Sequence, residues 1–78
     1  MEQRDVELIQ KHSVNDKSLE SLYLEHLDYE RQLEKYNNKP FLTPSDELEK
    51  KNIQKRKLKG RDEIERILAH YRNQESLS

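Results

Sequence analysis

The sequence has no cysteine, one glycine (Gly60) and only two prolines, Pro40 and Pro44, in 78 residues. Without cysteine there is no disulfide framework, no thiol nucleophile and no thiolate metal site. With so little glycine and proline the chain has few places for the tight turns of a sheet or barrel, so helix is favoured. No apolar run approaches the roughly 20 residues of a membrane span, and the opening stretch MEQRDVELIQ lacks the apolar core of a signal peptide. These absences point to a soluble, cytoplasmic protein that does not engage the membrane. There is also no glycine-rich phosphate loop and no serine or cysteine elbow. A catalytic role is therefore not expected, and neither is a cofactor or a metal.

What the chain has is charge. Charged residues make up 40% and hydrophobic ones 31%, with fifteen Lys and Arg against sixteen Asp and Glu. No net field draws the whole molecule to a polyanion or a membrane surface. A chain of this size forms one small domain, 1–78, with room for a narrow core only.

Apolar spacing divides the chain into three helices. Val6, Leu8 and Ile9 give a short amphipathic helix over about 3–12. A break follows at Ser13 to Asp16, where Asn15 is the expected N-cap and Val14 is expected to staple onto Leu19. The second helix, about 16–36, carries Leu19, Leu22, His26, Tyr29, Leu33 and Tyr36 in one arc with Tyr23 at its border. Pro40 disfavours helical geometry at Lys39, which ends it. Thr43-Pro44-Ser45-Asp46 is a strong start signal, with a capping hydroxyl, proline at the first helical position and acids in the first turn. The third helix, about 44–73, has its stripe at Ile53, Gly60, Ile64, Ile67, Leu68 and Tyr71.

A connection of about six residues makes the two long helices antiparallel neighbours, with Phe41 and Leu42 expected to plug the open end. Folding back near residue 40 sets Leu33 near Leu48 and Tyr29 near Ile53. Ile64, Ile67, Leu68 and Tyr71 then project past the start of the second helix. Either the N-terminal segment covers them or a second copy does. The fold class expected is all-α: an antiparallel, coiled-coil-like two-helix hairpin with a short N-terminal helix, and self-association as one way to cover its apolar end. Lys50 and Lys57 in the stripe argue against a continuous zipper seam.

The segments Leu19-x-x-Leu22-Tyr23-x-Glu25-His26-x-x-Tyr29-Glu30-x-x-Leu33 and Ile53-x-x-x-Lys57-Leu58-Lys59-Gly60-Arg61-Asp62-Glu63-Ile64 resemble the YdcH-like family of small bacterial proteins, a domain of unknown function. The resemblance covers nearly the whole chain. It departs at Gly60 and Tyr29, where the family's pattern has leucine. What it implies is a cytoplasmic bacterial helical hairpin with no assigned activity.

Several features carry chemistry. The run Lys50 to Arg61 holds seven basic residues and no acid, which suits phosphate binding with counterion release. Its side chains point all round the helix, however, and no aromatic is interleaved for base stacking. The competing reading is a solvated face, complemented by Glu20, Glu25, Asp28 and Glu30 of the neighbouring helix. Lys51, Lys55, Arg56, Lys59 and Arg61 form the candidate basic surface. Leu24, Leu27, Leu58, Ile64, Ile67, Leu68 and Tyr71 form the candidate protein-interaction set, although Leu24 and Leu27 also read as scattered surface leucines. His26 reads as a core histidine bonded to a neighbouring side chain, or as a pH-sensitive residue or ligand. Lys57 either pairs with Glu25 or Glu30 across the hairpin or extends its ammonium to water. His12 and His70 lack an acid at ligand spacing. The functional expectation is a protein–protein interaction or structural module that associates with itself through the apolar end of the third helix or the Leu24, Leu27 and Leu58 flank, with nucleic-acid binding through the basic run Lys50 to Arg61 as the alternative.

Overall fold

The structure, a computed structural model, describes residues 2–77. It consists of three helices, α1 (Gln3–Ser13), α2 (Lys17–Asn37) and α3 (Pro44–Leu77), and no strand occurs among the described residues. The molecule is a rod of 52 × 20 × 17 Å. Its length is set by the 34 residues of α3, which at 1.5 Å each span about 51 Å. Helix α3 runs four residues further than its apolar stripe predicts, because nothing after Tyr71 breaks it and Glu75 is held by α1.

Local signals account for most helix ends. Helix α3 opens with a reciprocal cap: Asp46 N–H donates to Thr43 Oγ1 and Thr43 N–H donates to the Asp46 carboxylate, both at 3.1 Å. Two otherwise orphaned donors are thereby satisfied. At the end of α2, the N–H groups of Asn38 and Lys39 return to the carbonyls of Glu34 and Tyr36 before Pro40 stops the helix. The start of α2 differs from expectation. Its cap is Asp16, whose carboxylate accepts from Leu19 N–H at 3.1 Å, and not Asn15. The carboxylate wins because it also accepts a 2.6 Å hydrogen bond from the Tyr71 hydroxyl on α3. Val14 does not staple onto Leu19; it is exposed while Leu19 is fully buried.

The register of the hairpin also differs. Tyr71 meets Asp16, and the Tyr36 hydroxyl meets Glu49, so α3 lies more than a turn further along α2 than a tight fold-back at residue 40 would place it. The loop carries the chain past the end of α2 before α3 begins. The first turn of α3 consequently overhangs: Leu48 is 62% exposed and does not touch Leu33's neighbourhood as a core residue, and Phe41, at 84%, plugs nothing. At the other end the slip brings Ile64 and Leu68 level with Leu19.

Those residues form the core with Ile9 of α1. Ile9, Leu19, Ile64 and Leu68 are each at most 1% exposed, and Leu8, Leu22, Tyr23, Ile67 and Tyr71 pack around them. The apolar end of α3 is therefore covered within the chain by α1. Gly60 lies in unbroken helix, and a Cβ built there meets nothing within 4 Å. Gly60→Ala is thus expected to stabilise the protein by roughly 0.5–1 kcal/mol, through lower unfolded-state entropy and better helix propensity. Chemical denaturation reads this as a higher midpoint with an unchanged slope.

Candidate interaction surface

The hairpin has a closed half and an open half on the same side. Helix α1 occupies the closed half. Its Asp5 carboxylate pairs with Arg72, and Lys11 Nζ and His12 Nε2 lie 2.7 and 3.2 Å from Glu75. The His12 ring stacks on Tyr71 with centroids 3.8 Å apart and planes within 9°. Sequence spacing gave His12 no acidic partner; Glu75 is 63 positions away and reaches it only through the hairpin. Asp16 is held below the usual carboxylate range by the Tyr71 hydroxyl and by Leu19 N–H.

Beyond the N-terminus of α1 the same side is uncovered. A groove passes from Val6, Tyr23, His26 and Leu27 to Glu30, then between Glu30 and Glu34 on α2 and Lys50 and Lys57 on α3, ending at Leu33, Leu58 and Arg61. Leu27, 38% exposed, lines the groove where it leaves α1, and Leu58, 57% exposed and on the opposite helix, lines its far end beside the buried Leu33. Three turns along the hairpin from the closed half, Glu30 and Lys57 take the places that Leu19 and Leu68 hold under α1. A helix with α1's apolar face cannot seat there without desolvating charge, so a second α1 does not fit this half.

The interaction set thus divides by environment. Ile64 and Leu68 are sealed under α1, and Ile67 and Tyr71 are half-buried around them. None of these four is offered to a partner while α1 is docked. Leu24 is exposed on the solvent side of α2, and only Leu27 and Leu58 share a groove. Leu58→Ala is accordingly expected to change folding stability by no more than about 0.5 kcal/mol, as for an exposed site; equilibrium unfolding checks this.

His26 lies at the junction of the two halves. It is 4% exposed, and its Nε2 donates to Glu30 Oε1 at 2.6 Å. Its Nδ1 is buried without a hydrogen-bond partner among the described residues. Desolvation lowers its pKa; the Glu30 carboxylate opposes that shift and the charge on Lys57 of α3 reinforces it. From α1 the residue beside it in the groove is the uncharged Val6. Since the folded protein binds this proton less readily than the unfolded chain, stability from neutral His26 is present above about pH 6.5 and declines as pH falls through that value. Urea unfolding at pH 7.5 and 5.5 is expected to show a loss at the lower pH that His26→Leu reduces.

The basic run is less compensated than expected. Lys51, Lys55, Arg56, Lys59 and Arg61 are exposed, and among the described residues no ion pair within 4 Å joins any cation of Lys50 to Arg61 to an acid. Glu20 pairs with Lys17 and Glu30 with His26 instead. Lys57 is half-buried and pairs with neither Glu25 nor Glu30, which fits a packed stem with its ammonium at the surface. The tyrosines sit at core edges, but two hydroxyls are engaged rather than wet, Tyr36 on Glu49 and Tyr71 on Asp16.

No group of three or more metal-ligating side chains occurs among the described residues, and none of their helices is long and apolar enough to cross a membrane. Comparison of the chain with protein-family models, curated proteins and solved structures yields no match.

Proposed function

We propose that this chain is a non-catalytic helical interaction module that binds a protein partner along the open half of the α2/α3 hairpin. The observation that carries this reading is the exposed leucine at each end of the groove, Leu27 beside Tyr23, His26 and Glu30, and Leu58 beside Leu33, Lys57 and Arg61. Around them the walls differ in sign, with Glu30 and Glu34 on α2 and Lys50, Lys57 and Arg61 on α3. The complementary partner is an amphipathic helix with a short apolar stripe, bases on one flank and acids on the other. Assignment to the YdcH-like proteins and to the bacterial cytoplasm belongs to the same proposal; the hairpin with a short leading helix supports it.

The test is photo-crosslinking in cells from a light-activated residue at Leu58, compared with one at the exposed, outward-facing Lys51. A discrete protein adduct from position 58 and none from 51 is expected. Equal or absent adducts at both would remove the reading. A homodimeric adduct would make the partner a second copy, which sedimentation across concentration then checks.

A second reading is favoured by the basic run, whose seven cations have no ion pair within 4 Å among the described residues. On this reading Lys51, Lys55, Arg56, Lys59 and Arg61 contact the phosphates of a nucleic acid, with affinity that falls steeply with salt. Titration with DNA and RNA separates the two; no binding at low salt discards it.

A further inference from the structure

We propose that α1 is an exchangeable segment: a second copy of this chain receives it in the same cleft of Leu19, Ile64 and Leu68, and Asp16 is the residue that keeps it on its own hairpin. This exchange does not depend on what occupies the open half.

Helix α1 has only 11 residues and no side-chain cap at its start, so it is too short to hold its shape alone in water. Its stability comes from docking. The cleft recognises this segment in particular: Ile9 enters the apolar cluster, Asp5 meets Arg72, Lys11 meets Glu75 and His12 stacks on Tyr71. Any copy of α1 satisfies the cleft equally, whichever chain it comes from.

The hinge decides which copy it is. Val14 still has helical dihedrals (φ −59, ψ −37), whereas Asp16 is extended (φ −125, ψ 95). No glycine or proline lies anywhere between Gln3 and Lys39, so nothing in the sequence forbids α1 and α2 from joining into one helix once Asp16 adopts helical geometry. In the closed chain α1 runs antiparallel to α2; in the joined helix the two run in the same direction. A receiving copy must therefore be inverted, which generates a two-fold and a reciprocal exchange that closes at two chains. What opposes joining is the Asp16 carboxylate, which accepts both Leu19 N–H and the Tyr71 hydroxyl. Inside a continuous helix the capping role disappears.

The proximity of Lys11 Nζ to Glu75, 2.7 Å, allows a zero-length carbodiimide cross-link to report the exchange. Equal amounts of unlabelled and ¹⁵N-labelled chain are refolded together from denaturant at high concentration, cross-linked after dilution and digested for mass spectrometry. Wild type is expected to give same-isotope 11–75 links, with a mixed-isotope fraction that grows with refolding concentration. Asp16→Ala should raise that fraction toward the value of about half that complete reciprocal exchange produces. Tyr71→Phe keeps the His12 stack and the cap, and should raise it too; it holds the test if Asp16→Ala fails to fold. Leu58→Glu should leave the fraction unchanged. Only same-isotope links in folded Tyr71→Phe at every concentration, or mixed links abolished by Leu58→Glu, would overturn the proposal.

Discussion

Leu68→Ala is expected to destabilise the protein by about 2–5 kcal/mol, the range for emptying a buried leucine site. Leu68 is fully buried and touches the core from all three helices, with Ile9 on α1, Leu19 on α2 and Ile64 on its own helix. The cavity would lie where no side chain can collapse without moving a whole helix, which places the cost toward the upper part of that range. A domain of this length has a total stability of roughly 4–12 kcal/mol, so the substitution removes a large share of it. Thermal unfolding should show a midpoint lower by roughly 10 °C or more. The exposed Leu58, the same residue type on the same helix, serves as the control.

Ile9→Asp tests the cover. Ile9 is 1% exposed, and a carboxylate there has no cation to pair with inside the cluster. Burying an unpaired charge costs several kcal/mol, more than so short a helix gains by docking, so α1 is expected to leave the cleft rather than bury it. Three readouts then move together. The helical signal drops by about the share contributed by α1, an apolar dye binds the uncovered Ile64 and Leu68, and the amides of α1 exchange at the rate of an unfolded chain. A variant that loses stability but keeps α1 protected from exchange would contradict the proposed role of Ile9.

Much of this architecture is written locally. The stripe of α2 and α3 identifies Leu19, His26, Leu33, Ile53, Ile64 and Leu68 as inward-facing, and all six are buried. The Thr43 to Asp46 cap is equally local, because both donors and both acceptors lie within four residues. His26 bonded to a neighbouring side chain is legible for the same reason, since Glu30 is one turn away. Three features are not local, and the sequence conceals them. Asn15 and Asp16 are both good caps in isolation; the choice is made by Tyr71, 55 positions later. The register depends on how far the loop travels beyond α2, which the loop residues do not encode by type. The partners of α1, Arg72 and Glu75, lie more than 60 positions from Asp5, Lys11 and His12 and become visible only when the hairpin has brought the two ends together.

The candidate surface follows the same division. The sequence marks Leu27 and Leu58 as apolar residues off the main arc, but it takes the antiparallel register to set them at the two ends of one groove. It marks Ile64 and Leu68 as needing cover without saying what provides it. The basic run is plain in the sequence, while its lack of acid partners among the described residues depends on where Glu20 and Glu30 turn.

Helix α1 packs on the distal end of the hairpin and hides Ile64 and Leu68. Methyl-to-methyl nuclear Overhauser effects in a sample labelled at Ile and Leu measure this directly. Cross-peaks from Ile9 to both Ile64 and Leu68 are expected. Absence of those cross-peaks, with α1 amides exchanging as freely as in an unfolded chain, would mean that α1 does not cover Ile64 and Leu68.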